Sequence, residues 1–408
     1  MPTEPTYLIV GASLCGAKAA EALREEGFGG TVILLGTETE RPYERPPLSK
    51  GYLLGKEEKS VIYVHDEAWY AEHEVDLRLG VTVTSVHPAG RTVTTEDGGS
   101  VEYDRLLLAT GASPRRLAVP GADRDGVLYL RTVGDSERLA AAFAGGGRVV
   151  TVGAGWIGLE VTAAAREAGC EVTVVEPEPT PLYRALGPEL GEMFADLHRE
   201  HGVQFRFGES LSELRGPGDR VGEVITSSGA ALPADIVVVG IGAVPNTGLA
   251  ADAGLEVGNG VVADAALRTS DTSIYAAGDL ANSYHPLLGR RVRVEHWANA
   301  LNSGPAAARS MLGQDVVYDP VPYFYSDQYD LGMETAGLPE PGTYDQVLYR
   351  GDRPGREFIA FWLKESTVVA GMNVNVWDVN DDIQALIRSG KQVDPARLTD
   401  PDIPLPEV

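Results

Sequence analysis

Residues 148–176 read RVVTVGAGWIGLEVTAAAREAGCEVTVVE. A short apolar run leads into Gly153-Ala154-Gly155-Trp156-Ile157-Gly158. An alanine-rich stretch with helical spacing follows and stops at Gly169, and a β-branched run then ends in Glu176. In this order, strand, G-x-G-x-x-G loop, helix and strand, the loop amides and the positive end of the helix can approach a pyrophosphate. One such loop is weak evidence. Residues 6–35, TYLIVGASLCGAKAAEALREEGFGGTVILL, repeat the grammar around Gly11-Ala12-Ser13-Leu14-Cys15-Gly16, with Ser13 where the middle glycine stands in the other copy. A second repeat accompanies the first. DRLLLATGASP at 104–114 and DIVVVGIGAVP at 235–245 each place a glycine seven residues and a proline ten residues after an aspartate. The chain therefore reads as two related dinucleotide folds.

Composition narrows the partners. A chain of 408 residues, 43% hydrophobic and 23% charged, has ordinary globular composition and room for two or three domains. Its 59 acidic and 34 basic residues give a net charge of −25, which opposes binding to nucleic acid or an anionic membrane. The N-terminal MPTEPTYLIVGAS has no basic region before its apolar run, and no long apolar stretch follows, so the expectation is a cytoplasmic protein with no membrane span. Cys15 and Cys170 have neither C-x-x-C nor zinc-type spacing, so no metal site and no redox disulfide are expected.

The two copies differ where their ligands would differ. Glu176 closes its strand eighteen residues after Gly158, where a carboxylate accepts ribose hydroxyls and repels a 2′-phosphate, which favours NADH over NADPH. In the first copy Glu38 is the nearby carboxylate. Glu160, just after the second loop, has two readings: a carboxylate at the positive end of a helix, or a catalytic group.

TSDTSIYAAGD at 269–279 resembles the flavin-binding signature of two-dinucleotide flavoproteins, in which the aspartate, here Asp279 after Gly278, takes a ribitol hydroxyl. ERPPLSKGYL at 44–53, YLRTVGDSERL at 129–139, VEHWANA at 294–300 and YFYSDQYDLGME at 323–334 extend the likeness over essentially the whole chain. Together they resemble the NADH-dependent ferredoxin reductases that serve bacterial oxygenases and cytochromes P450. Related disulfide reductases carry a reactive cysteine after the first fold, where this chain has Tyr43-Glu44-Arg45-Pro46-Pro47.

The resemblance implies an α/β fold of two Rossmann-like domains, one for FAD and one for NAD, plus a C-terminal α+β domain. The expected boundaries are 1–112 with 246–318 for FAD, 113–245 for NADH and 319–408 for the last domain, whose strands EFIAFWLKES and TVVAGMNVN are expected to pack against the flavin domain. The tail PDIPLPEV is expected to be irregular. By the same resemblance Lys50 and Glu160 form an ion pair beside flavin N5. Ala109, Thr110 and Gly111 line the FAD, Val83 lies near its adenine, Arg131 meets its phosphate or adenine side, and Arg45 lies close to the PPLSK stretch. Glu295, His296, Trp297 and Tyr325 face the isoalloxazine ring, Tyr325 standing where many relatives have tryptophan. Gly242 leaves room for nicotinamide, and Arg184 contacts the NADH phosphates.

The implied reaction is hydride transfer from NADH to flavin, then release of single electrons to a [2Fe–2S] ferredoxin. Arg290, Arg291 and Arg293 form a candidate docking patch for that acidic partner, with the protein a monomer or homodimer. Alternatives on the same folds are an NADH oxidase, a reductase for rubredoxin or a nitrite reductase component, and a redox-sensing flavoprotein resembling apoptosis-inducing factor.

Overall fold

In the computed structural model, residues 4–408 are described, and they form two compact units. One comprises residues up to Glu44, Lys59–Ser113 and Val244–Pro322. The other comprises Arg45–Glu58, Pro114–Ala243 and Tyr323–Val408.

The first unit is built on a parallel sheet in which Ile274–Ala276, Arg105–Leu108, Thr6–Val10, Thr31–Gly36 and Val75–Leu79 lie in that spatial order. The central strands are almost wholly apolar because both faces are covered, as parallel sheets require. Helices Leu14–Glu25 and Trp297–Met311 pack on one face, and their backbones come close. A side chain at Gly304 would overlap the carbonyl of Cys15.

The second unit repeats this plan with Gln204–Phe207, Glu171–Glu176, Arg148–Val152, Ile236–Val239 and Val127–Leu128, again all parallel. The two repeated aspartates acquire the same structural role. Asp104 exchanges hydrogen bonds with the backbone of Thr6, accepting its N–H at 2.8 Å and returning its own N–H to the Thr6 carbonyl at 2.7 Å. Asp235 does the same with Arg148, at 2.9 Å in both directions, and adds an ion pair to that guanidinium. Each aspartate thus fixes the register of the strand that follows it against the strand that leads into its unit's glycine loop.

The second unit also holds a five-stranded antiparallel sheet. Its order is Tyr323–Gln328, Leu331–Gly337, Thr367–Val374, Glu357–Lys364 and Gln346–Asp352. The two strands expected from EFIAFWLKES and TVVAGMNVN are its centre. Their packing differs from the expectation: Trp362, fully buried, joins a core with Leu159, Leu190 and Phe194 of the nucleotide fold in this same unit. The apolar runs showed that these strands are buried but could not say which neighbour covers them. The C-terminal tail is also less irregular than expected, since Leu405–Glu407 forms one helical turn that buries Leu405.

The segment Arg45–Glu58 folds with the second unit. Leu48 and Leu53 are buried, the Leu48 carbonyl accepts from Ser136 Oγ at 2.8 Å, Tyr52 donates to Glu137 at 2.8 Å, and Lys56 pairs with Glu167 at 2.8 Å.

Candidate functional site

Both glycine loops are shaped by close backbone approach. Gly11 and Gly153 have φ of +123° and +95°, and a Cβ on either would collide with the carbonyl oxygen of the neighbouring strand's end, Ala109 in one unit and Gly240 in the other. The third glycines, Gly16 and Gly158, bring each helix so near the loop that a Cβ would overlap the Gly11 or Gly153 oxygen. Only glycine meets both demands.

The helices that follow, Leu14–Glu25 and Trp156–Glu167, begin at Ser13 and Gly155 without a side-chain cap and carry no acidic residue in their first turns. Their leading amides therefore suit an external anion, and both loops fit a dinucleotide pyrophosphate. The helix-dipole reading of Glu160 is overturned by this geometry. It is the fifth residue of its helix, beyond the first turn in which the dipole acts.

In the first unit Ala109, Thr110 and Gly111 follow the strand Arg105–Leu108, and Gly111 has φ +64°. Thr110 and Asn246 hold one another through Asn246 Nδ2 to the Thr110 carbonyl at 2.7 Å. Gly278 also has positive φ and packs on Cys15, while its N–H donates to Ser303 Oγ at 2.9 Å, which sets Asp279 beside the start of the first helix. Cys15 is a packing residue, and burial pushes its thiol up to about 12. Glu38 lies just past the strand Thr31–Gly36 and accepts from Tyr43 OH at 2.6 Å, whereas Val83 is buried in the core.

Trp297 donates from Nε1 to Glu44 at 3.2 Å, and burial of that carboxyl raises its pKa against the lowering effect of this hydrogen bond. His296 stands at the N-cap position of the helix that begins at Trp297, without a side-chain cap hydrogen bond. Glu295 is paired with Arg293, which also donates to the Asp279 carbonyl at 3.2 Å, and Arg291 donates to the Ala263 carbonyl. Of the three arginines, Arg290 and Arg291 are exposed, whereas the Arg293 side chain is only 10% exposed.

In the second unit Glu176 ends its strand with both oxygens on the loop backbone, accepting from Ala154 N at 2.6 Å and Glu178 N at 2.9 Å. These bonds orient the carboxylate while leaving lone pairs for ribose hydroxyls. Trp156 packs edge-on against Phe194 and near Phe324, and Ile157 is exposed. Gly242, at φ +95°, faces open space. Arg184 is highly exposed and pairs with Glu178 at 2.7 Å. Arg131 donates its N–H to Asp135 at 3.0 Å, and its carbonyl accepts from Arg45.

Lys50 and Glu160 meet in this unit, Nζ to Oε1 at 2.8 Å. Glu160 is only 3% exposed and takes two further donors, Ser49 Oγ at 2.5 Å on Oε2 and Ser326 Oγ at 2.7 Å on Oε1. A buried carboxylate with one cation and two hydroxyl donors has its charge compensated. Lys50 Nζ also lies 5.5 Å from the Tyr325 ring centroid, within reach of a cation–π attraction. Neither Ser49 nor Ser326 was singled out from the sequence, although both lie inside motifs that were, PPLSK and YFYSDQ. The period-2 spacing of Ser326 and Gln328 was the available signal that they share a strand face.

Among the described residues no helix is long and apolar enough to cross a membrane, and no group of His, Cys, Asp and Glu could hold a metal ion.

Comparison with known proteins agrees with this geometry. A family model described as pyridine nucleotide-disulphide oxidoreductase matches residues 5–304, and one described as reductase C-terminal matches 323–408. The anthranilate 1,2-dioxygenase system ferredoxin–NAD(+) reductase component of Burkholderia cepacia is 38% identical over 99% of both chains. Putidaredoxin reductase of Pseudomonas putida is 36% identical over 100% of this chain and 97% of its own. Among solved structures, a covalent putidaredoxin reductase–putidaredoxin complex matches with a TM-score of 0.95 at 35% identity, covering 99% of this chain and 98% of that one.

Proposed function

Because the chain belongs to the pyridine nucleotide-disulphide oxidoreductase family, we propose that it is a cytoplasmic, FAD-dependent and NADH-consuming reductase whose acceptor is a [2Fe–2S] ferredoxin that supplies an oxygenase or a cytochrome P450. The observation that carries the choice of acceptor is the state of the cysteines. Cys15 and Cys170 are both free and buried, and burial raises both thiols. A dithiol cannot receive the electrons here, which supports their leaving to an acceptor outside the chain. Bound FAD would supply the conversion of a two-electron hydride into single electrons.

The chain's own residues would hold and orient the cofactors. The Gly11-to-Gly16 loop with Ala12 and Leu14, the Ala109-Thr110-Gly111 turn, Glu38, Val83, Gly278 and Asp279 would hold FAD, with Glu295, His296, Trp297 and Tyr325 about its ring. The Gly153-to-Gly158 loop, Glu176, Arg184 and Gly242 would hold NADH, with Glu176 rejecting a 2′-phosphate through charge repulsion. Lys50 would keep a positive charge at the hydride-accepting edge, and Glu160 would keep the ammonium in place. Arg131 would stand on the phosphate or adenine side of FAD, with Arg45, close to the PPLSK stretch, donating to the Arg131 carbonyl. Arg290 and Arg291 would steer an acidic ferredoxin, while Arg293 acts through Glu295 and the Asp279 carbonyl.

The test is an anaerobic absorbance titration of the purified protein with NADH and, separately, NADPH, followed by an oxidised [2Fe–2S] ferredoxin. Bleaching by NADH and recovery of the flavin spectrum as ferredoxin is reduced are expected. A colourless protein would refute FAD. A flavin that NADH bleaches but ferredoxin does not reoxidise would favour an oxidase or a redox sensor.

A further inference from the structure

The hydroxyl of Ser326 that donates to Glu160 is the end of a longer buried chain. Gln328 Nε2 lies 3.1 Å from Ser326 Oγ, His198 Nε2 lies 2.9 Å from Gln328 Oε1, and Tyr329 OH lies 3.4 Å from His198 Nδ1. Ser326, Gln328 and His198 are each at most 1% exposed, and all belong to the second unit.

The donor inventory of each group gives this chain a direction. Glu160, ionised and paired with Lys50, can only accept, so Ser326 must spend its one proton on it. The Ser326 lone pair then accepts from an amide N–H of Gln328, which turns the Gln328 oxygen toward His198. That oxygen has no proton, so His198 must carry one on Nε2, and its Nδ1 is left as an acceptor for Tyr329 OH. Every donor points toward Glu160.

Tyr329 is held for its part in the hairpin turn. It has φ +57°, which a tyrosine rarely adopts, and its ring stacks on His201 at 3.6 Å and 7°. Aligned hydrogen bonds in a low-dielectric interior polarise one another, so the chain strengthens the last donor onto the carboxylate. The charged groups acting at that end are Lys50 and Asp327, and the titratable groups around His198 are His201 and Tyr329.

We infer that Gln328 and His198 are positioning residues of the hydride-transfer step. They lock the Ser326 proton onto Glu160 and thereby fix where the Lys50 ammonium stands. The inference rests on the reading that Lys50 and Glu160 serve that step.

The test uses the flavin-loaded protein and anaerobic stopped-flow reduction by NADH, which separates the limiting rate from the dissociation constant. In Gln328→Glu the new carboxylate accepts from both His198 and Ser326, so the Ser326 proton turns away from Glu160. The limiting reduction rate should fall about tenfold, the loss of one hydrogen bond to a charged group, with NADH affinity within about twofold. Gln328→Met, which removes the amide but adds no charge, should give a smaller loss in the same direction. Limiting rates within about twofold of the unmodified protein in both variants would overturn the inference. If the Gln328 variants do not retain FAD, Ser326→Ala carries the test, with a rate within that same range overturning it. Glu160→Gln separates the two levels. If it also reduces at the normal rate, the role assigned to the ion pair has failed; if it is slow while the other variants are fast, only the relay has failed.

Discussion

His198 makes the second unit acid-labile by an amount that can be calculated. It is fully buried, and removal from water lowers its pKa from 6.5 to about 4, with the neighbouring His201 charge in the same direction and the Gln328 hydrogen bond opposing. The folded protein therefore keeps this imidazole neutral at pH values where the unfolded chain protonates it. The unfolded state binds more protons between about pH 6.5 and pH 4, so stability falls as pH falls through that window and the His198 contribution is negligible above it. At 1.36 kcal/mol per pH unit, lowering the pH from 7.5 to 5 costs about 2 kcal/mol through this one group. His198→Gln removes the titration. Its lost packing and hydrogen bonding change stability at both pH values alike, so they cancel in the comparison. Urea unfolding of the holoprotein at pH 7.5 and 5, followed by tryptophan emission to which buried Trp362 contributes, should show the unmodified protein losing about 2 kcal/mol more than the variant. Equal losses in the two proteins would refute the reasoning.

Three further outcomes can be checked with purified variants. Gly16→Ala places a methyl group on the Gly11 carbonyl and must push the first helix away from its loop, so the protein should bind FAD at least about tenfold more weakly, as flavin content after gel filtration would report. Glu176→Ala removes the carboxylate proposed to accept the ribose hydroxyls and leaves the buried Ala154 N–H without its partner, so the KM for NADH should rise about tenfold or more and the preference over NADPH should shrink in steady-state assays. Arg290→Glu with Arg291→Glu should raise the KM for ferredoxin several-fold at low salt while turnover with NADH and ferricyanide is retained. Equal ferredoxin kinetics would remove this strand from the docking surface.

What could be read in the sequence was local. The two strand–loop–helix–strand repeats stand where their glycines and apolar periods placed them, as do the central strands around Phe361 and Met372. Each is decided by neighbours within about thirty residues, which is the range over which periodicity speaks. The environment of Glu160 is assembled from further away. Ser49 lies 111 residues before it and Ser326 lies 166 after it, and no spacing rule connects them. Gln328 stands within YFYSDQ with no role legible there, and His198, in the last turn of the helix Pro188–Glu200, carried no signal of its own. It becomes informative only when Gln328, 130 residues on, is seen at its Nε2. The course of Arg45–Glu58 was hidden for a similar reason, because its apolar anchors Leu48 and Leu53 do not name the core they enter.

The burial of both native thiols makes the protein a convenient background for chemical labelling. Cys15 and Cys170 are each at most 5% exposed, and with the Cys15 thiol raised to about 12 only about one molecule in ten thousand carries its thiolate at pH 8. A maleimide at that pH should pass both over. A single cysteine introduced at Arg290, on an exposed strand position, would then take a fluorophore or spin label without prior replacement of the native cysteines, and the label would report directly whether an iron–sulfur protein arrives at that surface.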